Sequence, residues 1–440
     1  MKKLILIVAL TALILSCNTT EPLPPGTNIT LKTEDVSSIE AWIKITTNNI
    51  QLPTTVTLKK NNTVEKTISL LTQDSVIYID SLLPKTTYNF QAFIHSNTQT
   101  YESNELSVAT MDTTSHNFTW QTWTFGKHSS SVLNDVAIIN ENNIWAVGEI
   151  YLNDSLGNPD PEFYNLLIWD GNNWNIKRIN FTNSQGQTFL APIKSVFVFN
   201  ENDIWLGMDQ MIHWDGNEFT EVEIPSTIFH SWINKIWGTS SPEGTSNDLY
   251  IVGNNGNIAH YTNGQWTKIE SGTELPIRDI WGDFNTKTGK YEILAVAAEV
   301  AINNGSKVLR INGNSVTEES NNGLSWDVGG IWFKSGSKYY VAGAGIHYKH
   351  FLSDTIWNRY PQGLVTNYVG YHIRGSDIND VFAAGSFLEI AHFNGVSWHN
   401  YLNEISSGNG ALGGISINGD MIVIVGFDGS SALVVIGRRN

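Results

Sequence analysis

Four histidines recur in the same local setting. His213, His260, His347 and His392 each follow an isoleucine by one or two residues and precede an aromatic residue. Imidazole can ligate a metal or move protons near neutral pH. A zinc site would need paired spacing such as H-x-x-x-H, and none of the four has it. His350, three residues beyond His347, is only a weak second ligand. Each histidine belongs to a different copy of a repeating unit, so the four cannot converge on one ion. The expectation is that they pack or hydrogen-bond between neighbouring sheets. A second set, Asp135, Lys235, Asp279 and His372, stands at equivalent positions near the start of the units' first strands. A ring of such mixed charge would either solvate a central channel or hold a small polar ligand. Arg278 and Arg374 begin first strands two units apart and could reach the same channel.

The third candidate is a loop, Tyr151 to Glu162, that interrupts the first unit. Tyr151, Asp154, Asp160, Glu162 and Tyr164, with Phe163 beside them, combine aromatic faces with carboxylates. Sugars are recognised by stacking on rings and by hydrogen bonds from their hydroxyls, which makes this the candidate ligand-binding site. A protein partner would suit the same residues. No cofactor is implied. Calcium is the metal best matched to so many loop oxygens, although the stretch lacks the D-x-D-x-D-G order of an EF-hand. No catalytic residue is assigned. Any two loops could supply a carboxylate pair for glycoside hydrolysis, and the high acid count makes chance pairs common.

The elements that hold these residues are legible as an internal repeat. NDVAIINENNIWAVG (134–148), KSVFVFNENDIWLG (194–207) and NKIWGTSSPEGTSNDLYIVG (234–253) are followed by RDIWGDFNTKTGKYEILAVA (278–297), GGIWFKSGSKYYVAG (329–343), HIRGSDINDVFAAG (372–385) and GGISINGDMIVIVG (413–426). The units are spaced mostly by roughly 41 to 46 residues, with an insertion widening the first interval. Each unit has two apolar strands, a third carrying the histidine, an Asp-Gly or Asn-Gly turn, and a fourth opening with tryptophan. Asp170-Gly171, Asp215-Gly216, Asn263-Gly264 and Asn394-Gly395 are these turns, and Trp174, Trp266 and Trp398 follow them. Both turn residues tolerate positive φ, which predicts two-residue hairpins. Four antiparallel strands repeated seven times is a β-propeller. The seventh unit ends after ALVVIG (432–437), and its missing strand stands before the first unit as Trp120 to Phe125. The chain is thus expected to be all-β over 118–440, a seven-bladed β-propeller closed by an N-terminal strand. Its repeats resemble the "DIWAVG…HWDG..W" units of bacterial surface proteins, and more broadly sialidase-like and photosystem-assembly propellers. The S-x-D-x-G-x-T-W box and arginine cluster of sialidases are absent, so the resemblance implies fold and not catalysis.

Residues 28–111 show short alternating strands, Ala41–Ile45, Thr55–Lys60, Ser75–Asp80 and Tyr88–Phe93. Leu82-Leu83-Pro84-Lys85-Thr86-Thr87-Tyr88 resembles the L-x-P-x-T-x-Y signature of fibronectin type III domains. That resemblance implies a sandwich with Tyr88 at a strand corner, Trp42 as the core aromatic, and a spacer or interaction role.

At the start of the chain, Lys2 and Lys3 precede an apolar stretch from Leu4 to Leu15, then Ser16 and Cys17. Ile14-Leu15-Ser16-Cys17 resembles the lipobox of bacterial lipoproteins. The resemblance implies a signal peptide over 1–16 and a lipidated Cys17 as new N-terminus. The three prolines and lack of apolar periodicity in Asn18 to Thr27 make 17–27 a proline-rich, semi-rigid tether. Cys17 is the sole cysteine, which excludes disulfides and thiolate metal sites. The formal net charge of −16 opposes nucleic acid as a partner. Asn18, where aspartate would favour retention at the inner membrane, points to the outer membrane, facing either the periplasm or the exterior. The composite expectation is a lipid-anchored, extracytoplasmic binding or scaffold protein recognising a glycan or an envelope protein. A glycan-active enzyme and a structural envelope-assembly protein are the alternatives. Replacing Cys17 with alanine should move the protein from the membrane to the soluble fraction. Retention of Cys17→Ala on the membrane, with no labelled acyl chain on the wild type, would refute the anchor.

Overall fold

The computed structural model describes residues 26, 28–95, 99–182, 186–240, 247–299, 302–402, 404–405 and 408–440. Cys17 with its lipobox, the tether up to residue 25 and the insertion 241–246 lie outside the described residues. The chain divides into two compact units, one running to Val36 and over Glu40–Thr110, the other comprising Ser37–Ile39 and Met111–Asn440. Among the described residues every element in both is a β-strand.

In the first unit, strands Asn28–Val36, Ala41–Asn48 and Asp74–Ile79 form one sheet. Thr54–Lys60, Thr63–Leu70, Thr87–His95, Thr100–Glu102 and Leu106–Ala109 form the other. Period-2 alternation sends Ala41, Ile43 and Ile45 into a core shared with Val56, Leu58 and Phe90. Trp42 lies between those inward residues and therefore points the other way. It is fully buried there, its ring 5.5 Å from that of Tyr78, its partner on the adjacent strand. The aromatics inside that core are Tyr88 and Phe90 and not Trp42, which corrects the expectation for Trp42. The Tyr88 hydroxyl accepts a hydrogen bond from the Leu83 N–H at 2.9 Å, closing the corner that the L-x-P-x-T-x-Y pattern suggests.

The second unit is a β-propeller. Among the described residues it contains seven four-stranded antiparallel sheets, each built from consecutive strands except the last. Their first strands are Val132–Asn140, Ser195–Asn200, Ile233–Ser240, Ile277–Asn285, Gly330–Lys334, Gly370–Asp377 and Ala411–Asn418. Each first strand touches the next, and the seventh touches the first, so these strands line a closed ring. The last sheet takes its fourth strand from the beginning of the unit. Phe118–Phe125 pairs antiparallel with Ser431–Arg439, from Phe125 opposite Ala432 to Phe118 opposite Arg439. Apolar faces of successive sheets meet in separate clusters, such as Trp145, Val147 and Leu166 against Val196, Ile204 and Leu206.

Two local features differ from the sequence reading. The wide first interval comes from two insertions, because a second small hairpin, Phe181–Thr182 with Thr188–Phe189, follows the first sheet. The turns also differ. Only Asn263-Gly264 is a two-residue hairpin loop, with φ of 50° and 78°, between the paired residues Thr262 and Gln265. At Asp170 the facing pair is Trp169 with Trp174, which leaves a four-residue loop. There the carboxylate accepts the N–H groups of Asn172 and Asn173 at 2.9 and 2.8 Å. Asp215 and Asn394 do the same for their own loops. A side-chain oxygen that can reach N–H groups two and three residues on favours this arrangement, and only the glycine needs positive φ.

Glycine in the first strands sets how closely the sheets approach around the ring. A Cβ on Gly282 would lie 2.3 Å from the Trp237 ring of the preceding sheet, and one on Gly375 would lie 2.7 Å from that of Trp332. A tryptophan on one first strand thus covers the bare backbone of the next. Gly282→Ala should destabilise the protein by about 1–3 kcal/mol through overpacking. The denaturation midpoint measures this, and the loss should shrink in a Trp237→Leu background, where the added methyl has room.

Candidate functional site

The recurring histidines answer to acids within their own sheets. Asp203 Oδ1 accepts from the Trp205 indole N–H at 2.7 Å and lies 2.9 Å from His213 Nε2, while the Trp205 and His213 rings stack at 4.3 Å. Asp380 lies 2.8 Å from His392 Nε2, with the His392 ring on Phe382 at 4.2 Å. His260 stacks on Tyr250 at 4.2 Å and stands 3.6 Å from Asp248. In each case the acid sits two residues before the aromatic of the second strand, and the imidazole lies opposite on the third. The acid contacts are thus within one sheet and not between neighbouring sheets as expected. The expected packing between sheets is present at His392, whose ring lies 5.7 Å from that of Phe118 in the last sheet. The sequence signal was present in Asp203-Ile-Trp, Asp248-Leu-Tyr and Asp380-Val-Phe. His347 lacks such an acid and bonds Ser325 at 3.1 Å instead. Among the described residues, no group of three or more His, Cys, Asp or Glu is placed to hold a metal ion.

The charges inside the channel are paired, and the same construction appears twice. Asp135 of the first sheet accepts the Val196 N–H and Ser195 hydroxyl of the second at 3.0 and 2.9 Å. It also accepts the Lys235 ammonium of the third sheet at 2.6 Å. Asp279 of the fourth sheet accepts the Ile331 N–H of the fifth at 2.9 Å. The Arg374 guanidinium of the sixth sheet holds the same carboxylate through two bonds of 2.7 Å. Burial raises the Asp279 pKa, but the attraction of Arg374 more than reverses this, leaving it below the usual carboxylate value. A bidentate guanidinium–carboxylate pair with its remaining protons satisfied is what a buried charge needs. Arg374 meets that condition by also donating to the carbonyls of Ile331 and Ile373. The expected open ring of mixed charge is therefore a pair of closed ion pairs that cross the channel.

Above those pairs is a cavity of about 330 Å³. A second cavity, of about 170 Å³, lies further along the first strands, beside Trp237 and Trp281. The larger one is framed by a repeated irregularity: several first strands carry a β-bulge at the channel entrance. The residues left out of pairing there are Asn134, Asn234, Arg278, Tyr371 and Gly413. Lys194 completes the ring from the second sheet. No carboxylate lines this cavity among the described residues. His372 also borders it, and burial lowers its pKa to about 4, so it is neutral near pH 7.

The loop singled out from sequence is self-contained. Asp154 accepts the N–H groups of Leu156 and Asn158 at 2.9 Å, capping its own turn. Asp160 accepts the Arg178 guanidinium at 2.8 Å, and Glu162 stands 3.4 Å from it. The same guanidinium lies 4.3 Å over the ring of Tyr164. The Tyr151 hydroxyl bonds Glu149 at 3.3 Å, and its ring is 5.7 Å from that of Phe163. Arg178, on the chain just after the fourth strand, gathers Asp160, Glu162 and Tyr164, while Tyr151 and Asp154 keep separate partners.

Two features carried no clear sequence signal. His116 belongs to the polar stretch Met111–Asn117, yet its Nδ1 lies 2.8 Å from that of His392, which binds this stretch to the sixth sheet. Phe387 and Leu388 both adopt left-handed backbone, with φ of 58° and 59°. Such a conformation is unfavourable for bulky residues and persists only where the surroundings enforce it. Leu388 is buried in the core, whereas Phe387 is exposed and in ring contact with exposed Tyr368 at 4.2 Å. Buried Glu389 ties the two loops together by accepting the N–H groups of Asn367 and Tyr368 at 2.7 and 2.9 Å.

No protein-family model and no curated protein matches the chain. Solved structures similar to it include the following two. One, described as YCF48 bound to D1 peptide, shares 15% identity at a TM-score of 0.53, over 74% of this chain and 97% of that one. The other, the WD40 beta propeller domain of Doa1, shares 11% identity at a TM-score of 0.51, over 74% and 98%. At these identities the likeness establishes the β-propeller fold.

Imidazoles that are partly or wholly buried make stability sensitive to acid. Burial lowers the pKa of His116, His347 and His372 to about 4, from 6.5. Between pH 6.5 and 4 the unfolded chain binds protons that the folded chain refuses, so stability falls as pH is lowered through that window. The depressed Asp279 acts in the same direction at lower pH, since its stabilisation is lost as the carboxylate is protonated. The melting temperature should drop steadily from pH 7 to pH 4.5. A flat profile would show that these imidazoles are accessible to protons in the folded state.

Proposed function

We propose that this chain is a lipid-anchored, extracytoplasmic scaffold whose propeller binds a peptide segment of a protein partner. In this reading Cys17 carries the lipid on the outer membrane, and residues 28–111 form a fibronectin type III-like spacer. Residues 118–440 then form a seven-bladed ring that presents one loop face. That face bears the connections after the second and fourth strands of each sheet. It also bears the entrance of the 330 Å³ cavity, which is bordered by the starts of first strands and by Gly426 and Phe427 at the end of a second strand.

The observation that carries the proposal is a group of exposed aromatic residues on this face. Trp232, Trp326, Tyr368 and Phe387 are exposed and lie in its loops, whereas on the opposite face exposed Phe284 and Tyr291 flank a single turn. Trp232 lies under the Lys194 ammonium at 5.9 Å, and Tyr371 at the cavity accepts a bond from Ser386, beside Phe387. Exposed aromatics clustered around a pocket are typical of protein-recognition surfaces. The similar propeller described with a bound D1 peptide is in keeping with a peptide ligand. A glycan at Tyr151–Tyr164 is less well supported, because Asp160 and Glu162 are engaged by Arg178.

Strain at Phe387 gives the proposal a distinctive test. Glycine accepts left-handed φ without penalty, so Phe387→Gly should raise stability by roughly 1 kcal/mol. It should also reduce photo-crosslinking to the partner from a benzoylphenylalanine placed at Tyr368. The same probe at Val396, on a turn of the opposite face, should give no adduct. Adducts from Val396 but not from Tyr368 would show that the wrong face has been assigned.

A further inference from the structure

We infer that the channel mouth is a carboxylate-binding site, in which Lys194 and Arg278 hold a carboxylate of the docked peptide. This inference rests on the peptide-binding reading and gives it a chemical anchor. The cations deeper in the channel are spoken for, Lys235 by Asp135 and Arg374 by Asp279. Lys194 and Arg278 differ. Neither makes an ion pair with the described residues, and Arg278 spends only its Nε, donating to the Ala298 carbonyl at 3.0 Å. Its two terminal nitrogens remain as a planar fork, the geometry that matches a carboxylate. The acid whose field reaches Arg278 is Glu299, and that carboxylate accepts the Asn304 amide at 2.7 Å.

The two cations are held in place before any ligand arrives. Asn134 donates its side-chain amide to the carbonyl of Ile193, the residue before Lys194, at 2.9 Å. Asn234 donates in the same way to the carbonyl of Ile277, the residue before Arg278, at 2.9 Å. Each bulged asparagine thus clamps the backbone from which a cation projects. Such preorganisation reduces the ordering cost of binding. The mouth is a local positive spot on a chain of formal net charge −16, so an anion is drawn to it and repelled elsewhere.

Shape selects among anions. The Arg278 fork is planar and matches a planar carboxylate better than a tetrahedral anion such as phosphate. Leu133, Leu412 and Phe427 supply apolar wall beside the cations. A peptide carboxylate with an apolar neighbour fits that combination, and flanking residues would reach Trp232 on one side and the Tyr368–Phe387 pair on the other.

The test presents the full mature chain in detergent with a pool of random-sequence octapeptides bearing free C-termini, and with the same pool amidated. The free pool should be retained at least tenfold better, and that excess should vanish in Lys194→Gln/Arg278→Gln. Acetate should compete, and phosphate at equal concentration should not. Arg278→Lys keeps the charge but loses the fork, and should weaken retention while leaving the melting temperature near that of wild type. This guards against misfolding of the double variant. Amidated peptides rich in Asp or Glu, retained only when Lys194 and Arg278 are intact, would support the site with a side-chain carboxylate as its ligand. Equal retention of both pools by wild type and double variant would overturn the carboxylate site and leave the peptide-binding face standing. Phosphate competing better than acetate would also overturn it. Retention of neither pool would overturn both readings.

Discussion

Ring closure is the constraint on which the rest of the propeller depends. The strand Phe118–Phe125 runs along Ser431–Arg439 over eight facing residue pairs, so the first residues of the unit complete its last sheet. Without that pairing, Ser431–Arg439 would be an exposed edge, and the first and seventh sheets would have no covalent reason to stay together. With it, the two ends of a sequence more than three hundred residues long share a backbone ladder. Side chains reinforce the seam. Trp123 and Phe125 pack with the core between the first and last sheets, and Phe118 and Trp120 pack with the core on the other side of the last sheet. Arg439 reaches Asp380, the acid that also holds His392.

Closure in turn fixes the radius at which the first strands meet, and the channel chemistry follows from that radius. The first strands are close enough for Asp135 to reach a backbone N–H one sheet away and an ammonium two sheets away. The same reach recurs from Asp279 to Ile331 and Arg374. Tryptophan over glycine keeps that spacing between Trp237 and Gly282, and again between Trp332 and Gly375. Larger residues at those glycines would push the strands apart and open the ion pairs to water, where they would contribute little. The polar channel and the packing around it are therefore one construction.

Much of this was readable from residue types because the repeat reports on itself. Glycine-terminated second strands, tryptophan-opened fourth strands and the displaced Trp120–Phe125 segment each mark one position in a sheet, and these signals are local. The failures were cases where a side chain's partner is set by register or by distant chain. Trp42 alternates with Ala41 and Ile43, so its face was inferable, but a family likeness pointed to the core instead. Asp170-Gly171 looked like a two-residue turn because the dipeptide alone does not show that Trp169 faces Trp174. The stretch from Tyr151 to Tyr164 reads as a ligand site from its residue types alone, yet the residue that engages Asp160 and Glu162, Arg178, lies outside it. The mouth residues were partly visible, since Arg278 stood out, whereas Lys194 and the bulged asparagines acquire meaning only when the ring brings them together.

The division of charge between the interior and the mouth is the last step. A channel through a propeller must be either wet or filled with groups that satisfy one another. Here two acids and two cations from four different sheets close it, and their pairing leaves no interior charge to attract a ligand deeper than the entrance. What remains at the entrance is a different population, two cations and two amides, each amide engaged in holding the strand next door. Unpaired cations beside apolar wall would be a poor choice for stability alone, because a carboxylate partner or an apolar residue there would cost nothing in folding. The strained Phe387 and Leu388 backbone is a second such choice on the same face. Two independent departures from what stability favours, set on one face and on opposite sides of one cavity, are more simply explained by a ligand than by the fold.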